Sequence, residues 1–379
     1  MRRQSRWSLA VVTVAAVLTG CGWTQVGGGS GHTGEATATI TATEVPTLGI
    51  AWSRPTRTEA TSRLEPVSDG TSIFVVDAEP PGCPSCTESG FGFVTAVDPN
   101  TGETRWRTER PDANASANLA VGGGLVVAGG DVCLIAYAVD TGAERWRHCP
   151  SIENPPSFFG PTTIVDGMVY EVTRGSLNQL RLSDGVATGR TFELSNLPLN
   201  PPPAVADGNV VAFHRVSSAT TGATLLSHVP DRAALRDGVI FGTSESGGEL
   251  EARSLSTGQL LWTAPVTCFG PPTVDATSVY VQGCGRIRSY DRLTGQERWH
   301  TTQYTYGSGD TRITIGKGLL YFTDPDSTLW ILDATSGELV RGITLGTPPA
   351  VGTATGPPIV LGARVIVATE AELIAYEPT

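Results

Sequence analysis

The sequence predicts an all-β fold, an eight-bladed β-propeller of four-stranded antiparallel blades whose last blade is closed by an N-terminal strand. Three observations predict it. A turn ending in Gly, followed by a strand that carries a Trp, recurs about every forty residues. A second turn, often Asp-Gly and embedded in a β-branched or aromatic run, precedes each copy. Gly (45) and Pro (26) are abundant while charged residues make up only 17%, which suits many short strands and tight turns. No long stretch places apolar residues at helical spacing.

The Gly-Trp unit is clearest in "VDPNTGETRW" (Val97 to Trp106), "YAVDTGAERW" (Tyr137 to Trp146), "RSLSTGQLLW" (Arg253 to Trp262) and "YDRLTGQERW" (Tyr290 to Trp299). "LDATSGELV" ends on Val340 in the Trp place. "RLSDGVATGRTF" (Arg181 to Phe192) and "ATTGATLL" (Ala219 to Leu226) are worn copies in the long interval between Gly142 and Gly258. The preceding strand pairs begin at Ser68, Val121, Val165, Ala206, Arg236, Val274, Ile315 and Leu361, which makes eight blades. Each reads strand A, turn, strand B, variable loop, strand C, turn, strand D.

The residue types suit these places. An Asp carboxylate can accept backbone N–H groups and tighten a turn. Gly tolerates positive φ. Trp52, Trp106, Trp146, Trp262 and Trp299 each offer a large apolar ring to wedge between blades, with an N–H that needs an acceptor. The eighth unit stops after "AELIAYEPT" (Ala371 to Thr379), a strand C. "LGIAWSRP" (Leu48 to Pro55) is a Trp-bearing strand without a unit, so it is expected as strand D of the last blade, which closes the ring without an exposed edge.

Arg2, Arg3 and Arg6 precede the apolar run "LAVVTVAAVL" (Leu9 to Leu18), so residues 1–20 read as a signal peptide. The following "LTGC" resembles the lipobox of bacterial lipoproteins, which implies lipidation of Cys21. Residues 21–48, rich in Gly, Thr and Ala, read as a flexible tether in which His32 is inert. The propeller then occupies residues 49–379. This makes the chain a lipid-anchored protein on the extracytoplasmic face of a cell membrane.

Six further cysteines form an even set, which in an exported chain points to disulfides. The expected local pairs are Cys83 with Cys86, Cys133 with Cys149, and Cys268 with Cys284. Cys83-Pro84-Ser85-Cys86 has a second reading as a redox or metal site. A net charge of −11 argues against nucleic acid as a partner. Lys317 is the single lysine.

Motifs for chemistry are missing. The five His have no zinc spacing, and no nucleophile elbow, P-loop or dinucleotide fingerprint occurs. "DPDS" (Asp324 to Ser327) falls short of a calcium loop and reads as a solvated B–C turn. Phe158, Phe159, Phe269, Tyr304 and Tyr306 fall on variable D–A links of the same face as the cysteines. They make a candidate partner surface, or plugs between blades.

The x-x-Asp-x-x-Thr-Gly-x-x-x-Trp pattern, with its Asp-Gly strand pair, resembles the PQQ-like (quinoprotein-type) β-propeller repeat family over about residues 49 to 379. That resemblance implies the fold. Its dehydrogenases stack a quinone on the propeller axis against a disulfide of adjacent cysteines and a calcium ion. No such Cys-Cys pair exists here, so no cofactor and no bound metal are expected. In architecture the chain resembles the lipid-anchored propellers of outer-membrane assembly. The expected function is a monomeric, non-catalytic binding or scaffold protein of the cell envelope, attached to the membrane by its lipid and docking unidentified envelope proteins. The alternatives are a PQQ-dependent dehydrogenase or other propeller enzyme, and a sensor or carbohydrate-binding protein.

Overall fold

The structure is a computed structural model that describes residues 24–25, 28–56, 65–78, 92–110, 118–130, 133–149, 162–173, 176–193, 202–244, 248–266, 270–283, 285–301, 312–324, 327–345, 356–369 and 372–379. They form eight antiparallel sheets with strands in the order A-B-C-D. In blade 1 these are Val67–Ser68, Ile73–Ala78, Gly92–Val97 and Thr104–Arg110. The A strands of neighbouring blades pack beside one another around the axis, and the D strands form the rim, where their outward side chains are exposed. A–B and C–D turns share one face of the ring, the turn face. B–C hairpins and D–A links share the other, the loop face.

A blade is apolar on both sides of its sheet, so it cannot fold alone. The buried apolar residues accordingly divide into eight clusters, one between each pair of adjacent blades. Between blades 1 and 2, for example, Val67, Phe74, Val94 and Ala96 meet Leu119, Val126, Ile135 and Tyr137.

Each interface ends in one lock near the rim. Trp52, Trp106, Trp146, Trp262 and Trp299 lay their rings on the C–D turn glycine of the next blade, Gly102, Gly142, Gly185, Gly295 and Gly337. A Cβ on Gly102 would sit 2.6 Å from the Trp52 ring, and these glycines have φ near +70°, so two independent constraints demand Gly. Each indole N–H donates to the carbonyl three residues before that glycine: Pro99 at 3.0 Å, Val139 at 2.8 Å, Leu182 at 2.7 Å, Arg292 at 2.9 Å and Ala334 at 3.1 Å. Ring burial and the N–H are satisfied together. The turns are tightened as their residue types predict: Asp291 Oδ1 accepts from the Leu293 and Thr294 N–H groups, and Arg298 holds its carboxyl down at about 2.

The three interfaces without Trp use substitutes. Leu226 covers Gly258 between blades 4 and 5. Between blades 3 and 4, Gln179 Nε2 donates to the Ala219 carbonyl at 2.9 Å, the position an indole N–H would serve. Between blades 7 and 8 the sequence placed Val340 in the Trp position. The residue in that position is instead Arg341, four residues after Gly337 as Trp106 is four after Gly102, and it stands opposite Ile331 as Trp106 stands opposite Ala96 in blade 1. Arg341 Nη1 donates to the carbonyls of Val45, Pro46 and Leu48 at 3.0, 3.1 and 2.7 Å. Blade 8 has no covalent C–D turn, and the short 3₁₀ turn Val45–Thr47 stands in for one.

Closure follows the expected route. Leu48–Pro55 pairs antiparallel with Glu372–Pro378, Ile50 opposite Tyr376 and Trp52 opposite Ala375. This last sheet has five strands rather than four, because Thr37–Ala38 adds to its A strand in parallel.

The tether expectation fails for the described part of residues 21–48. The segment is a strap that crosses the A strands of blades 2 to 8 in order. The N–H groups of Val121, Val205, Leu235, Val274 and Ile315 donate to the carbonyls of Thr24, Ser30, Gly31, Thr33 and Gly34, and the Ile164 N–H donates to Gln25 Oε1. These donors hold equivalent places, two residues before each A–B turn. The inner edge of a blade otherwise presents unpaired backbone at the axis, and the strap satisfies one N–H in each of blades 2 to 7. Small residues allow this close approach, which composition alone reads as flexibility. His32 is fully buried, its Nε2 3.3 Å from Thr163 Oγ1 and 3.1 Å from the Pro203 carbonyl.

Two outcomes follow from these contacts. Trp52→Ala removes the closing lock and should lower stability by about 3–5 kcal/mol, read from urea unfolding midpoints. At Gly34, φ is +73° and a Cβ would meet the Ile313 carbonyl at 2.8 Å. Gly34→Val should therefore lift the strap, seen as faster hydrogen exchange at the Val274 and Ile315 amides while blade amides far from the axis keep their protection.

Candidate interaction surface

The loop face is anchored at blade 2 by a disulfide between Cys133, just before strand C, and Cys149, just after strand D, with a Cα–Cα distance of 4.3 Å. Cys21, Cys83, Cys86, Cys268, Cys284, Phe158, Phe159, Phe269, Tyr304 and Tyr306 lie outside the described residues.

Next to this staple is a polar cluster that sequence reasoning missed. Glu171 sits in strand B of blade 3 (Met168–Thr173) and is fully buried. Its Oε1 accepts from Asn178 Nδ2 at 3.3 Å and lies 3.8 Å from Nε2 of His148, the last residue of strand D in blade 2. Glu171 Oε2 has no protein partner among the described residues. Burial pushes the Glu171 carboxyl up to about 7 and holds the His148 imidazole below its usual value. The signal was present as an acidic residue in "MVYEVT", where strand B of other blades is mostly apolar. The one comparable exception is Asp77 of blade 1. Burial raises its carboxyl despite Arg107 at 3.4 Å and Arg54 at 3.6 Å, and Arg54 reaches it from blade 8. Charge in a B strand here marks an interblade junction.

Chemically, the Glu171 carboxyl can gain or lose a proton near neutral pH. Among the described residues no three His, Cys, Asp or Glu side chains gather as a metal site requires. Asp324 of the "DPDS" turn is buried rather than solvated, and accepts from Trp330 Nε1 at 2.7 Å. The residues do not fit a quinone either: no adjacent cysteines exist, and the strap lines the inner A strands near the turn face. The rim carries exposed Leu225, Leu260 and Leu261 on blades 4 and 5, and Leu293 is exposed on the C–D turn of blade 6. Among the described residues no helix is long and apolar enough to cross a membrane.

A family model described as outer membrane protein assembly factor BamB matches residues 36–214, 90–268 and 206–379. The chain belongs to this family. One curated member, outer membrane protein assembly factor BamB of Yersinia pestis, is 27% identical over 260 residues, 58% of this chain and 61% of its own length. The chain thus spans about three fifths of that relative. The crystal structure of BamB from Moraxella catarrhalis has a TM-score of 0.66 at 16% identity, covering 87% of this chain and 99% of that one. A europium-containing methanol dehydrogenase has a TM-score of 0.69 at 12% identity, covering 94% and 98%. Both structural likenesses are statements of fold. The same ring serves an assembly factor and an oxidoreductase, so it does not choose between them. Family membership does bear on the choice, and it rests on the repeats from residue 36 onward.

The pair gives a pH prediction. An unfolded Glu titrates near 4.5 and folded Glu171 near 7, so the folded state binds the extra proton between them. The resulting stability is full below about 4.5 and is lost as pH rises to about 7, by up to about 3 kcal/mol. Glu171→Gln should match the wild type at pH 4.5 and exceed it at pH 8, measured by urea midpoints at both values.

Proposed function

We propose that this protein is a lipid-anchored, extracytoplasmic scaffold of the cell envelope that binds proteins without catalysing a reaction. Membership of the assembly-factor family across residues 36–379 carries the reading. The relatives' description as outer membrane protein assembly factors supports partners among outer-membrane proteins or the factors that assemble them. Supporting it, the "LTGC" sequence offers Cys21 for lipidation, and two acyl chains on one residue give stable anchoring where one would be marginal. The Cys133–Cys149 disulfide suits an oxidising compartment. A rigid ring held by eight interfaces presents its loops with little ordering cost on binding, as a docking surface requires.

The test is made in intact cells. Wild-type protein should fractionate with membranes, and Cys21→Ser should be released. A photo-crosslinking residue at exposed Glu249, on the loop face, should capture envelope proteins identifiable by mass spectrometry. Membrane-independent wild-type protein would defeat the anchor. Dye-linked alcohol oxidation by purified protein supplied with pyrroloquinoline quinone and calcium would defeat the non-catalytic reading.

A further inference from the structure

We infer that the ring is suspended from the bilayer by its turn face, so that the loop face points away from the lipid toward its partners. This rests on the lipid-anchor reading of Cys21. Thr24 is the first described residue of the strap, and its carbonyl accepts from Val121 N–H in strand A of blade 2, two residues before the A–B turn. Cys21 lies three residues upstream, so its Cα is within about 11 Å of Thr24 however the chain runs. A free tether of residues 21–48 would permit any orientation. A strap hydrogen-bonded to six blades from Thr24 to Gly34 does not, because the slack has been taken up at the axis.

The electrostatics assign the holding force to the anchor. Asp98, Asp184, Asp237 and Asp291 of the turn face are bridged by Arg105, Arg181, Arg292 and Arg298. Asp69, Asp275 and Asp333 accept from backbone N–H groups of their own turns and leave the face acidic. Such a face does not adsorb to anionic lipid. Its charges are screened beyond about 8 Å at physiological ionic strength, which leaves the covalent reach of the anchor to set the distance.

Lys317 makes this measurable. It is the single lysine and is exposed on the A–B turn of blade 7. Glu249 is exposed at the opposite end of a six-residue strand C, about 17 Å farther along the strand direction. Purified lipidated protein is labelled with an amine-reactive donor dye, either at Lys317 or at the introduced lysine of a Glu249→Lys/Lys317→Arg variant. Lys317→Arg alone gives the background from the terminal amine. The samples are reconstituted into phosphatidylethanolamine–phosphatidylglycerol vesicles carrying a headgroup acceptor.

Transfer should be about twofold or more higher from Lys317, given the separation of about 17 Å. In a Gly34→Val background, with the strap lifted, the difference should shrink. Equal or reversed transfer, with acyl chains found on Cys21 by mass spectrometry, overturns the orientation and leaves the anchor intact. Unmodified Cys21, or Cys21→Ser protein that still binds the vesicles, overturns the anchor reading and the inference with it.

Discussion

The indole on the next blade's turn glycine is the interaction on which the ring depends. It does two things with one side chain. The ring face closes the apolar cluster between blades, and the N–H fixes the neighbour's turn through a single carbonyl. Because that carbonyl always stands three residues before the glycine, the lock sets distance and angle together. Repeated round a circle, small angular errors would accumulate and prevent closure. A stiff side chain with one directed hydrogen bond limits them better than apolar packing alone.

The exceptions show which part of the lock is essential. Leu226 keeps the apolar cover over Gly258 without a donor. Gln179 keeps the donor at Ala219 and comes from strand C instead of strand D. Arg341 answers a different problem, because blade 8 is made of two chain segments with no turn between them. Its guanidinium gathers three carbonyls of residues 45–48 into the shape a turn would have had. Where the joint is not covalent, a charged donor replaces the neutral one.

Most of the fold was legible because the repeat is written in residues with a single conformational purpose. Gly102 or Gly295 accepts few substitutes, and a Trp four residues later has few other roles. The strap was not legible. Gly28, Ser30, Gly31 and Thr33 are small because they lie against backbone, yet small residues are also what a tether contains, and only the donors of distant A strands distinguish the two. Arg341, by contrast, was legible: blades 1, 2, 5 and 6 place Trp four residues after the turn glycine, and four residues after Gly337 stands Arg341, one past the Val340 read as the Trp place. The Glu171–His148 junction joins residues of different blades, so no linear spacing reveals it. The loop-face aromatics were chosen from link composition, which says where variation falls and nothing about contacts.

The split blade has a consequence for how the molecule is made. Thr379 bonds to Thr47 across a sequence separation of 332, and the strap engages blades that are synthesised long after it is. The strap can pair only as each blade forms, and Leu48–Pro55 waits for Glu372–Pro378 while seven blades form, open to misplaced partners. Ring closure therefore waits for Glu372–Pro378, and a nascent chain of seven finished sheets is still an open horseshoe with two sticky ends.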